Sequence, residues 1–117
     1  MNLYDCFMYF DEDLLLDLRL NSLNKFVKKF IITEATYTHN GSKKELKFDI
    51  GKFKKFKDKI VYIVVDKQPE NILELVEGET KDQRAEKLIL NGMARDYFQR
   101  ENLNRGLADA SNEDIFL

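Results

Sequence analysis

What most constrains this chain is an alternation. Short apolar runs at Leu3–Phe10 (LYDCFMYF), Phe30–Thr33 (FIIT) and Ile60–Val65 (IVYIVV) are separated by stretches with other patterning. Runs this brief and apolar on both sides read as strands covered on both faces, the pattern of a parallel sheet. Between the first two, Leu16, Leu20, Leu23 and Val27 recur at helical spacing and predict an inward stripe. The acids Asp11, Glu12 and Asp13 stand where a carboxylate can cap that helix.

The stretch after the second run is less regular. Ala35–Ser42 reads as a loop with Asn40-Gly41 as its turn signal, and Glu45–Phe48 reads as a short extended piece. Lys52–Asp58 reads as a short helix with Phe53 and Phe56 inward and its lysines solvated. Lys67–Thr80, which holds the only proline, Pro69, is an irregular connection. Gln83 onward is a long helix with an apolar stripe at Ile89, Met93, Tyr97, Leu103 and Leu107, and Arg100 falls on that stripe. Ala108–Asn112 is turn chemistry, and Asp114–Leu117 opens a fourth strand. The order strand, helix, strand, short helix, strand, helix, strand predicts an α/β fold: a Rossmann-like, mostly parallel sheet with helices on both faces.

Composition limits the alternatives. The chain has 117 residues, enough for one domain, with no repeat or boundary inside it. Charged residues make up 34% and hydrophobic residues 44%, a globular balance rather than that of a disordered chain. The net charge of -2 gives no general affinity for nucleic acid. No apolar run approaches the roughly 18 residues of a membrane span, and no basic leader opens the chain, so a cytoplasmic location is expected. One cysteine, Cys6, excludes an internal disulfide and reads as a buried strand residue.

In open parallel sheets, ligands sit outside the carboxyl ends of the strands. Those ends are Phe10–Asp13, Glu34–Thr36 and Asp66, and each carries a carboxylate. Each acid is equally a turn former or a cap when taken alone. An inward Arg100 must meet an acid, a carbonyl or an anionic ligand. The plainer reading is an i, i+4 pair with Asp96, worth about 0.3–0.5 kcal/mol if exposed. Asn102 and Arg105 read as solvated. Tyr9 and Tyr97 read as core or rim. His39 has no Cys or His partner at zinc spacing. The chain contains neither Gly-x-Gly-x-x-Gly nor a P-loop.

The segments YDCFMYFDEDLLLDLRLNSL, FIITEATYTHNGSKKELKF, KIVYIVVD and YFQRENLNRGL, in this order, resemble glycosyltransferase family seventeen. The resemblance spans nearly the whole chain, and Tyr4–Leu23 is its most specific part. It implies the N-terminal part of a GT-A nucleotide-sugar fold, a single partial domain over residues 1–117. It also implies transfer of N-acetylglucosamine from a UDP-linked nucleotide-sugar donor to a glycan acceptor. The donor-binding residues it points to are Phe10, Glu34, Asp66 and Arg100. No catalytic residue and no metal ligand is expected in this chain. A divalent cation, Mn or Mg, is expected on an Asp-x-Asp-type motif beyond Leu117, so the isolated chain is expected to be inactive. A phosphoacceptor receiver-like domain is the alternative, because Asp11, Glu12 and Asp66 mimic its acids; an inactive structural fragment is a third reading.

Overall fold

The computed structural model describes residues 2–107, 110, 111 and 114–116. Strand β1 spans Leu3–Met8, helix α1 Asp13–Leu23, and β2 Lys29–Ala35. A 3₁₀ segment, Ile50–Lys59, is kinked at Phe53 and leads into β3, Ile60–Val65. Helix α2 is Lys81–Glu101, a second 3₁₀ segment is Asn102–Gly106, and β4 is Ile115–Phe116. The four strands form one parallel sheet in the order β3-β2-β1-β4. The expected α/β architecture is therefore the observed one. Of the expected turn, Ala108, Asp109 and Asn112 lie outside the described residues, as does Leu117 of the last strand.

Side chains alternate across the sheet, as a pleated strand requires. On one face, Phe30 and Ile32 of β2 pack with Tyr9, with Leu16 and Leu20 of α1, and with Phe53 and Phe56 of the first 3₁₀ segment. On the other, Tyr4, Ile31 and Ile63 pack with Leu103 and Leu107, while Ala35, Tyr37 and Val65 meet Phe98 of α2. Helical cover thus lies on both faces. Asp5 of β1 is fully buried and is held by the Arg19 guanidinium at 2.5 and 2.6 Å.

Three local expectations differ from the structure. The acids before α1 do not cap it through a side chain; Glu12 instead accepts from the Phe10 N–H at 3.0 Å. Glu45–Phe48 is not a strand, and the extended pairing nearby is one antiparallel bridge between Tyr37 and Lys43. Cys6 is half-buried rather than buried, on the face covered by Leu103 and Leu107.

The largest departure is the face that α2 turns inward. Ile89, Met93 and Tyr97 are 64%, 63% and 66% exposed, whereas Asn91, Arg95 and Gln99 are buried. The reason is what α2 covers. Its buried polar side chains meet the backbone of loops and strand ends, whose N–H and C=O groups need partners. Asn91 accepts from Leu73 N at 2.7 Å and donates to Leu73 O at 2.9 Å. Gln99 donates to Thr33 O at 3.2 Å. Arg100 is consequently not on the inward face: it is 62% exposed and pairs with Asp96 at 2.9 Å.

Candidate nucleotide crevice

The carboxyl ends of the strands gather the candidate residues at one edge of the sheet. The register aligns Met8 with Thr33 and Thr33 with Ile63, so Phe10 and Asp66 leave the sheet at nearly the same level. They lie two strands apart, about 10 Å at the usual strand spacing. Phe10 is 45% exposed, and its ring meets the His39 imidazole edge-on at 5.3 Å. Asp11, which follows, holds a positive φ of 68°. For a non-glycine residue that is a strained conformation, of a kind found at functional turns.

Beside Asp66 a cleft of about 420 Å³ is lined by Val65, Asp66, Lys67, Phe98, Asn102 and Arg105. A second hollow shares Lys67 and Phe98 with it and continues along Gln68, Pro69, Asn71, Ala94 and Tyr97. Together they form a groove between the segment after β3 and the carboxyl half of α2. Tyr97 and Phe98 bring aromatic rings to it, and Asp66, Lys67, Glu70 and Arg105 bring charge of both signs. Rings give a flat apolar contact for a planar base, while Lys67 and Arg105 give donors for anionic oxygens.

Arg105 and Asn102 enter this groove although their sequence context reads as solvent. The second 3₁₀ segment lies so close to β2 that a Cβ on Gly106 would stand 2.6 Å from Cγ2 of Ile31. That contact turns Arg105 back toward the sheet, where its NH1 donates to Asn102 Oδ1 at 3.1 Å and lies 3.5 Å from Val64 O. The one sequence signal was the glycine: a residue without a side chain beside a strand permits close approach.

Of the four expected donor residues, Asp66 lines the groove, while Phe10 leaves the sheet two strands away and is not among the residues that line it. Arg100 does not line it; it pairs with Asp96, whose other oxygen lies 3.6 Å from His39 Nε2. Glu34 sits within the sheet, fully buried, on the face occupied by Phe48 and Tyr62. Its carboxylate accepts from Lys44 Nζ at 2.6 Å, Lys47 N at 2.7 Å, Phe48 N at 3.0 Å and Tyr62 OH at 2.7 Å. Burial alone would push its pKa up. The Lys44 ammonium, the two backbone N–H groups and the Tyr62 hydroxyl outweigh that, and the pKa lies below the ordinary value. Glu34 thereby fastens the 44–48 segment to the sheet. On the same face, burial and the Asp13 carboxylate hold the Tyr9 hydroxyl protonated. Asp13 is itself held low by the Tyr9 and Lys52 hydrogen bonds.

Among the described residues no three His, Cys, Asp or Glu side chains converge as metal ligands, and no helix is long and apolar enough to cross a membrane.

The fold is a Rossmann-like α/β arrangement with a groove at the carboxyl edge of its sheet. The model of glycosyltransferase family 17 matches residues 1–99, and the chain belongs to that family. Sugar donor and acceptor substrates follow from the membership. Neither a curated protein nor a solved structure matches it.

Proposed function

We propose that this chain binds the nucleotide-sugar donor, a UDP-sugar, of an N-acetylglucosaminyltransferase acting on a glycan. The observation that carries the reading is the groove joining Asp66 and Lys67 to Phe98, Asn102 and Arg105 at the carboxyl end of a parallel sheet. Asp66 accepts hydrogen bonds from the ribose hydroxyls. Phe10 and the aromatic rings of the groove contact the base. Lys67 and Arg105 face the diphosphate, whose charge grows as the sugar leaves. Arg100 contributes from the rim, by orienting Asp96. Glu34 acts on the donor indirectly, by fixing the 44–48 segment beneath the loops. The reading leaves the divalent cation, Mn or Mg, and the group that activates the acceptor to residues outside this chain, which corresponds to a partial GT-A domain.

Calorimetric titration with UDP and UDP-N-acetylglucosamine tests it. Saturable binding is expected, weakened tenfold or more by Asp66→Asn and by Arg105→Ala. Absence of any binding to a cooperatively folded chain would refute the reading.

A further inference from the structure

Arg95 joins the segment that lines the groove to the loop after β2. It is 92% buried, being 8% exposed, in the middle of α2. Its Nε donates to Gln68 Oε1 at 2.7 Å, in the segment after β3. Its NH1 donates to the His39 carbonyl at 2.9 Å, in the loop after β2. The guanidinium packs closely on Gly41, where a Cβ would stand 2.7 Å from NH2 and 2.9 Å from Cζ. Gly41 has a φ of 90°, so its bare Cα faces the guanidinium in a conformation that L side chains rarely adopt. The same two loops are tied to each other by Tyr37 OH, which donates to Lys67 O at 2.8 Å.

Two consequences follow. First, one planar fork holds two separate segments: Gln68, which lines the groove, and His39, whose ring meets that of Phe10. The guanidinium carries its donors on separate nitrogens of one rigid plane, whereas a lysine carries its three on a single nitrogen at the end of a flexible stem. Second, both hydrogen-bond acceptors are neutral, and no carboxylate pairs with Arg95 among the described residues. A buried cation without an anion is costly, and its field favours an anionic ligand nearby.

We propose that Arg95 is a positioning residue for a phosphate-bearing ligand: it clamps the loops after β2 and β3 at the spacing of the crevice, and its unneutralised charge makes the crevice prefer a nucleoside diphosphate over the uncharged nucleoside. The ligand half of this rests on the donor-binding reading; the clamp half does not.

The experiment pairs amide hydrogen exchange with calorimetric titration of UDP and uridine, for the wild type, Arg95→Met, Arg95→Lys and Gly41→Ala. Arg95→Met keeps the length and apolar stem of the side chain. Gly41→Ala displaces the guanidinium without altering α2. Exchange is expected to quicken at least tenfold in residues 38–42 and 66–68 in all three variants, with β2 unchanged. The ratio of UDP to uridine affinity should fall at least fivefold in Arg95→Met and stay within twofold of wild type in Arg95→Lys, a split that a merely structural role would not produce. Unchanged loop exchange in Arg95→Met overturns the clamp. An unchanged UDP-to-uridine ratio in that variant overturns the charge preference. If the wild type binds neither ligand, the donor-binding reading and the charge preference fall together, and the exchange result alone upholds or overturns the clamp.

Discussion

Glu34 and Lys44 form an ion pair of 2.6 Å in which the carboxylate is fully buried and the ammonium is 17% exposed. Removing the acid takes away the ammonium's counter-charge, leaving it two carbonyls, and takes from the Tyr62 hydroxyl and two backbone N–H groups their acceptor. Glu34→Ala should cost about 3–5 kcal/mol, the range for breaking one side of a buried pair. Urea denaturation followed by circular dichroism measures it. A loss below about 1 kcal/mol would show that the 44–48 segment is held by other contacts.

The same residue gives stability a dependence on pH. The folded carboxyl titrates below its ordinary value of 4.5. The folded state therefore binds the proton less well than the unfolded chain. Its contribution is complete above about pH 4.5 and declines as pH falls through the lower, folded value. Thermal melts from pH 7 to pH 3 should show a steeper acid loss for the wild type than for Glu34→Gln.

Arg100 should matter little to stability. Its partner Asp96 is one helical turn away, and its own side chain is 62% exposed. Arg100→Ala should change unfolding free energy by no more than about 0.5 kcal/mol. A loss of several times that would place the guanidinium in a buried contact.

Gly106 should tolerate no side chain. A methyl there meets Ile31, which is fully buried in the core. Gly106→Ala is expected to cost about 1–3 kcal/mol by overpacking. In a chain of 117 residues that is a fall in Tm of roughly 4 °C per kcal/mol. It should also shift Arg105, so UDP affinity should fall with it; differential scanning calorimetry and titration read the two effects.

Cys6 should react slowly with alkylating reagents. Burial, and then the adjacent Asp5 charge, push its thiol up to about 11, against a smaller opposing effect of Arg19. At pH 8 the thiolate, the reactive form, is on the order of a hundredfold scarcer than for a free cysteine. The iodoacetamide rate should still be climbing at pH 10; a plateau near pH 9 would contradict the shift.

The class of fold is legible along the chain. Apolar runs with no polar side, such as IVYIVV, fit only strands covered on both faces, and Leu16 and Leu20 fit only an inward helical stripe. Hydrophobic burial is non-directional, so periodicity suffices to locate it. The tertiary structure decided what the polar residues do. Glu34, Arg95, Arg100 and Arg105 are all simply charged residues when read along the chain, yet one is fully consumed inside the sheet, one joins two loops, one faces water and one enters the groove. A charged side chain is stable in water or against a matched partner, and which it meets depends on loops distant in sequence. Helix α2 shows this most directly: its apolar residues suggest one inward face, but the backbone of the 39–41 and 68–73 loops required donors and acceptors, and Asn91 and Arg95 turned inward to supply them.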